Sequence, residues 1–70
     1  MLCQKIVPHD FQGRLDRFLR RYFRYLPQSL LEKSIRKGDV KVNHQRTKSS
    51  TRLKGEDVVS YPQEFEAFIP

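Results

Sequence analysis

The spacing of apolar residues changes at Gly38, and this change constrains the fold more than any other feature of the sequence. Before Gly38 the apolar residues recur with the 3.6-residue period of a helix, and after it they alternate with polar residues as in a strand. The helical stripe consists of Leu15, Phe18, Leu19, Tyr22 and Phe23. The order of the two patterns predicts an α+β fold, in which a two-helix unit (an αα-hairpin, helix-turn-helix-like) precedes a small antiparallel β-hairpin or sheet.

Capping and breaking residues give the predicted limits of both helices. The first helix is predicted over residues 14–25, with Gly13 as its N-cap, and it ends at Leu26 because the residue before a proline avoids helical backbone. Pro27 suits the first position of the second helix. That helix is predicted to bury Leu30, Leu31 and Ile35, with small Ser34 permitting close approach, and to run to Lys37, where Gly38 supplies the left-handed stop.

The remaining segments are predicted to be strands and a tail. Residues 1–9 form an extended lead-in or a first edge strand. Residues 39–43 form a strand that turns at Asn43-His44 and returns through residues 45–47, and residues 57–61 form the last strand. Beyond it, Phe65, Phe68 and Ile69 stand among acidic residues without an evident apolar partner, which indicates the start of a linker.

Positive charge is concentrated in the middle of the chain. The 70 residues carry a formal net charge of +6, yet thirteen of the fourteen Lys and Arg residues lie within residues 14–54 against only three carboxylates, a local net charge of +10. Such a concentration of charge is typical of proteins that bind a polyanion. The alternative is a basic surface that serves only solubility.

The cations are predicted to lie on both helices and on the hairpin region. Arg14, Arg17, Arg21 and Arg24 are spaced to form one row on the first helix. On the second helix, Gln28 and Ser29 place donors beside the free N–H groups of its N-terminus. Lys33 and Lys37, four residues apart, share one face of this helix, and Arg36 lies with Lys37 in its last turn. Lys41, Arg46, Lys48, Arg52 and Lys54 complete the predicted binding surface. Because few aromatic residues lie outside the apolar stripe, recognition of the shape and backbone of structured RNA is favoured over base stacking.

Catalytic, metal-binding and membrane functions find little support in the sequence. His9 and His44 do not pair with Cys or carboxylates at metal-ligand spacing, and no apolar run reaches the ~18 residues of a membrane span. The one cysteine, Cys3, cannot form an internal disulfide and fits a reducing compartment. We therefore expect a cytoplasmic monomer without catalytic residues, metal or cofactor.

Several short motifs, in order, resemble the S-four RNA-binding domain, named after the small-subunit ribosomal protein S-four. They are Gly13-Arg14-Leu15-Asp16-Arg17-Phe18-Leu19, Pro27-Gln28-Ser29, the run Ile35-Arg36-Lys37-Gly38-Asp39-Val40-Lys41-Val42-Asn43, and Arg52-Leu53-Lys54-Gly55-Glu56-Asp57-Val58-Val59. The resemblance covers residues 12–61. It implies the fold of that domain, also called alpha-L, and RNA contacts from Arg14, the Gln28-Ser29 corner, Lys33, Lys37 and Lys41.

The motifs are most similar to one branch of this family, the N-terminal domain of Rlu-type (RluA-family) pseudouridine synthases. The resemblance implies that residues 1–11 are a lead-in segment, residues 12–61 the RNA-binding domain and residues 62–70 a linker toward an absent catalytic domain. It also implies that the parent protein is an isomerase that modifies large-subunit ribosomal RNA, and that this chain positions it there without being an enzyme itself.

Four features depart from the family pattern or imitate another motif. Gln28 stands where a basic residue is usual, His44 where glycine is usual, and Gly55-Glu56 reverses the usual order. Arg14-Leu15-Asp16 imitates the end of the catalytic His-Arg-Leu-Asp motif of these synthases, but no histidine precedes it. Asp16 is therefore interpreted as a first-turn helix residue.

Three other functions are compatible with parts of the sequence. The first is a stand-alone ribosome-associated RNA binder of the heat-shock type, which uses the same domain. The second is a DNA-binding helix-turn-helix protein, which is disfavoured because the arginine row lies on the first helix and not on the expected recognition helix. The third is a basic adaptor that binds other proteins.

Overall fold

A computed structural model describes residues 2–68 and contains two helices and six short strands. The elements are β1 (Leu2–Ile6), β2 (Gly13–Arg14), α1 (Leu15–Tyr22), α2 (Gln28–Lys37), β3 (Lys41–Val42), β4 (Gln45–Arg46), β5 (Arg52–Leu53), β6 (Val58–Pro62) and a 3₁₀ helix (Gln63–Phe68). Strands β1, β6, β3 and β4 form a four-stranded antiparallel sheet in that order, and β2 pairs with β5 separately. The predicted α+β fold is confirmed.

Helix α1 is shorter than predicted because its first residues are used elsewhere. Gly13 and Arg14 pair with β5, so that Arg14 is the N-cap and the prediction of Gly13 at that position is wrong. The N–H groups of Leu15 and Asp16 donate to the carbonyls of Thr51 (2.8 Å) and Ser49 (3.2 Å), so a distant loop satisfies the first turn. The helix ends at Tyr22, which leaves Arg24 in the following turn.

Helix α2 follows the prediction except at its first residue. Pro27 is its N-cap, with φ −64° and ψ 141°, and does not occupy the first helical position. Gly38 has φ 84° and donates its N–H to Ile35, while the Asp39 N–H donates to the Ser34 carbonyl. These two hydrogen bonds form a Schellman motif, which requires the left-handed backbone that glycine adopts without strain.

The predicted β-hairpin forms around Asn43 and His44. Both residues have positive φ, 52° and 66°, as a two-residue hairpin turn requires, although neither is glycine. The Asn43 side chain donates to Asp57 Oδ1 and accepts from the Val58 N–H, which holds the turn against β6. The strands are shorter than predicted because Asp39 caps α2 and the Thr47 hydroxyl bonds Thr51.

The C-terminal residues belong to the core, contrary to the prediction for Phe65 and Phe68. Phe65 is fully buried, with its ring centroid 5.8 Å from that of Phe23 and 6.1 Å from that of Tyr61, and Phe68 packs against the same core. The 3₁₀ helix turns these side chains inward, which their acidic neighbours do not indicate. Ile69 lies outside the described residues.

The N-terminal residues are also part of the folded unit. Strand β1 pairs over five residues with β6, which confirms the edge-strand alternative for Leu2–Ile6. Val7, just beyond it, is buried. The core therefore includes side chains on both sides of the predicted domain limits, residues 12–61.

Candidate nucleic-acid interface

Two arginines stand directly opposite each other where β2 pairs with β5. Arg14 is the partner of Arg52 in the antiparallel register, and both side chains are exposed. Arg14 Nη2 also lies 3.2 Å from Asp16 Oδ2, whereas Arg52 forms no ion pair with a carboxylate within residues 2–68. Directly opposed like charges destabilise a strand pair, so the arrangement favours an anion between the two guanidinium groups.

A groove of about 300 Å³ separates α2 from the segment that follows β4. Its lining residues are Glu32, Ile35, Arg36, Arg46, Thr47, Lys48 and Ser49. The Arg46 guanidinium donates to the Arg36 carbonyl over 2.8 Å and lies so close to Gly38 that a Cβ there would be 3.1 Å from Arg46 Nε. Arg46 thus stabilises the end of α2 and is fixed at the edge of the groove.

The loop of residues 47–51 connects this groove with the arginine pair. The Thr51 hydroxyl accepts the Lys48 N–H and bonds the Thr47 hydroxyl, which gives the loop a fixed shape. The carbonyls of Ser49 and Thr51 in turn hold the start of α1, next to Arg14. We call Arg14, Arg36, Lys41, Arg46, Lys48 and Arg52 the cationic face; Lys41 is included because it is the cross-strand partner of Arg46.

The other predicted site residues are exposed and lie outside this set. Lys33, Lys37 and Ser29 are exposed on α2, and Lys37 Nζ lies 3.6 Å from Asp39 Oδ2. Lys54 is exposed after β5, with its N–H bonded to Asp57. Gln28 and Arg17 are exposed as well. These positions remain predictions as binding residues.

The predicted row of four arginines is not a single helical row. Arg17 and Arg21 are one turn apart on α1, while Arg14 precedes the helix and Arg24 follows it. The sequence analysis missed Arg20, whose guanidinium donates to Gln28 Oε1 and so connects α1 to the start of α2. The amide of Gln28 donates in turn to Glu32 Oε1 over 2.9 Å. No local spacing links residues 20 and 28, so only the packing of the two helices identifies this contact.

Titratable groups within residues 2–68 form no metal cluster, and His9 Nε2 lies 3.1 Å from Glu56 Oε1 at the exposed surface. No three His, Cys, Asp or Glu side chains there are grouped as a metal ion would require. Asp16, which imitates a catalytic aspartate, is a first-turn residue that accepts from the Arg17 N–H (2.8 Å) and from Arg14. In the same part of the chain, neither helix has the length and hydrophobicity to traverse a bilayer.

The chain matches a known family and part of a group of larger proteins. The family model of the S4 domain, the S-four type of the motifs above, matches residues 13–59. The chain is 39% identical over 57 residues to "Ribosomal large subunit pseudouridine synthase C" of Vibrio parahaemolyticus and of Escherichia coli K12, and 36% identical over 59 residues to the protein of that name from Rickettsia felis.

These alignments cover 80%, 81% and 84% of this chain but only 18%, 18% and 19% of the respective relatives. The chain thus spans less than a fifth of the length of the curated relatives that it matches. No solved structure matches it significantly. Because the family model extends over more than half of the chain, from β2 into β6, the chain belongs to the S4 domain family.

Proposed function

We propose that this chain is the RNA-binding module of a cytoplasmic pseudouridine synthase that acts on large-subunit ribosomal RNA, and that it positions the catalytic part of that protein on structured RNA. The names of the curated relatives support the reaction and the RNA class. The cationic face supports the mode of binding, which is contact with phosphates.

The observation that carries the proposal is the opposition of Arg14 and Arg52. Directly opposed like charges disfavour a strand pair, and a phosphate that accepts from both guanidinium groups would offset this effect. Each guanidinium presents a planar fork that matches two phosphate oxygens. The pair is therefore better suited to a phosphodiester than to a carboxylate peptide surface, where the charge is less dense.

The distribution of aromatic residues supports contact with the RNA backbone. Among residues 2–68, Tyr25 is the one aromatic side chain that is largely exposed, and it lies in the turn after α1. The other rings are buried or half-buried in the core. Base stacking on a row of aromatic side chains, the usual mode for single strands, therefore has no surface here. Phosphate and shape recognition of folded RNA remains.

Within this proposal, Lys33, Lys37 and Lys54 add further phosphate contacts at the margins of the cationic face, and Ser29 adds a hydroxyl donor. The chain itself supplies binding and no chemistry, since Asp16 is engaged by Arg14 and by the backbone. The isomerisation of uridine is assigned to the rest of the parent protein.

Competition titrations at fixed salt test the proposal with the full chain. A folded fragment of large-subunit ribosomal RNA should compete for binding better than duplex DNA of equal length. Arg52→Gln should weaken binding to the RNA, whereas Arg24→Gln, which removes an exposed arginine outside the cationic face, should have a smaller effect. Equal affinity for RNA and DNA, or equal effects of the two substitutions, would contradict the proposal.

A further inference from the structure

A second groove, of about 490 Å³, lies along the outer side of α1. Its lining residues are Asp10, Phe11, Gln12, Arg17, Arg20 and Arg21, and we call it the α1 groove. Three guanidinium groups against one carboxylate make it strongly basic. None of these arginines forms an ion pair within residues 2–68.

The floor of the α1 groove contains a buried aromatic ring that is not available for stacking with bases. The Phe11 ring packs edge-on against Phe18, with centroids 5.3 Å apart, and Phe11 is only 8% exposed. A nucleobase stacked on this ring would need its face to be free, which such burial excludes. The groups available to a ligand are therefore the guanidinium forks and the Gln12 amide. This set suits phosphates and not bases.

The α1 groove adjoins the arginine pair of the cationic face. A Cβ at Gly13 would lie 3.3 Å from the Phe11 ring and 3.6 Å from Arg17 Cδ, so both groove residues pack directly on β2. Arg14 is the next residue of β2 and faces Arg52. A phosphate chain that leaves the Arg14–Arg52 pair along β2 therefore meets Arg17 and then Arg21, one turn further along α1.

We infer that the α1 groove is a second segment of the RNA-binding surface, which takes the phosphate backbone as it continues from the Arg14–Arg52 pair. Arg17 and Arg21 bind phosphates, and Arg20 is a positioning residue whose bond to Gln28 fixes the relation of the groove to α2. The inference rests on the proposed function and extends it, because it places RNA on both sides of β2. The RNA path then crosses a molecule whose extents are 26 × 25 × 21 Å.

The salt dependence of RNA binding tests this inference. Each phosphate contact contributes roughly 0.7–0.9 to the slope of log affinity against log salt. The double variant Arg17→Gln/Arg21→Gln should reduce the magnitude of that slope by about 1.4–1.8 for a folded ribosomal RNA fragment, and Arg21→Gln alone by half as much. Arg24→Gln is the matched control, since it removes one exposed arginine from the turn after α1, outside the groove. It should leave the slope unchanged.

The outcomes separate this inference from the proposed function. If the wild-type chain binds the RNA and Arg52→Gln weakens binding, but the Arg17/Arg21 variant keeps the wild-type slope, the α1 groove is not an RNA site and the proposed function stands. The same conclusion follows if Arg24→Gln lowers the slope as much as Arg21→Gln. If the wild-type chain prefers an acidic peptide or does not bind folded RNA, both are wrong. Thermal unfolding identifies any variant that fails to fold, and Arg21→Gln, at an exposed helix position, then carries the test.

Discussion

Asn43 and Asp57 connect the tip of the β-hairpin to the start of β6. Asn43 Nδ2 donates to Asp57 Oδ1 over 3.1 Å, and Asp57 Oδ2 accepts the Lys54 N–H over 3.0 Å. Asp57 is only 6% exposed, so its carboxylate satisfies two donors in a region with little access to water. One side chain thus fixes both the hairpin turn and the turn before β6.

Replacement of Asp57 by alanine should therefore destabilise the protein. The loss leaves the Lys54 N–H and the Asn43 amide without their acceptor in partly buried hydrogen bonds, and removal of such an acceptor costs about 1–3 kcal/mol of unfolding free energy. Urea unfolding measures the change. Glu64→Ala is the control, because Glu64 is exposed and should stay within about 0.5 kcal/mol of wild type. An Asp57→Ala protein as stable as Glu64→Ala would contradict the assigned role.

Phe65→Ala should be among the most damaging substitutions. It removes a fully buried ring from contact with Phe23 and Tyr61, and such a change costs about 3–5 kcal/mol. That loss approaches the whole stability of a domain of this size. Phe68→Ala, at a half-buried position, should cost less. Thermal unfolding by circular dichroism compares the two, and equal small losses would show that the 3₁₀ helix is not part of the core.

Arg52→Gln should separate stability from binding. Removal of one charge from the Arg14–Arg52 pair should raise the unfolding free energy by about 0.2–1 kcal/mol while it lowers RNA affinity. Arg46→Gln should instead lower both, because the Arg46 guanidinium also bonds the Arg36 carbonyl. Chemical unfolding and RNA titration of both variants provide the comparison. A loss of stability in Arg52→Gln would show that the two arginines do not repel each other in the free protein.

Stability should fall at alkaline pH because of Tyr61. Burial raises the pKa of Tyr61 to about 12 from the ordinary 10.0, with further contributions from the Glu66 and Cys3 side chains, and its hydroxyl donates to Glu66 over 3.3 Å. The Tyr61 hydroxyl holds its proton more tightly in the folded state than in the unfolded state. The contribution of this protonated hydroxyl to the unfolding free energy is therefore intact below pH 10 and is lost as the pH rises toward 12. Tyr61→Phe should show a shallower loss over this range when unfolding is measured against pH. Parallel curves for the two proteins would contradict the assignment.

The helices could be predicted closely because their determinants are local. The 3.6-residue stripe of α1 and the glycine stop of α2 are patterns within a dozen residues. Leu31 and Ile35 are buried as expected, whereas Leu30 is only half-buried. The start of α1 could not be predicted, because it depends on a two-residue pairing of Gly13–Arg14 with a segment about forty positions later. Two residues are too few to show the alternation of a strand.

The candidate site was predictable as a set of charges but not as an arrangement. The sequence shows that Arg14, Arg36, Arg46, Lys48 and Arg52 are basic, and it offers no residues at metal-ligand spacing. It does not show that the loop of residues 47–51 brings Arg46, Lys48 and Arg52 beside α2 and β2. The shape of that loop depends on threonine hydroxyls and backbone carbonyls. Likewise, the acidic neighbours of Phe65 favour an exposed position in the sequence, whereas the 3₁₀ helix places its side chain in the core.

The pairing of β1 with β6 determines when the sheet can form. These strands are about 55 residues apart in the chain. Strand β6 also pairs with β3, so that both of its neighbours in the sheet need β6 as their partner. During synthesis on the ribosome, Leu2–Ile6 therefore cannot form its strand pairing before Val58–Pro62 has been synthesised and released from the exit tunnel. Contacts of such large sequence separation slow folding relative to local ones. The helical hairpin is expected to gain protection from hydrogen exchange first, and the β1 amides last.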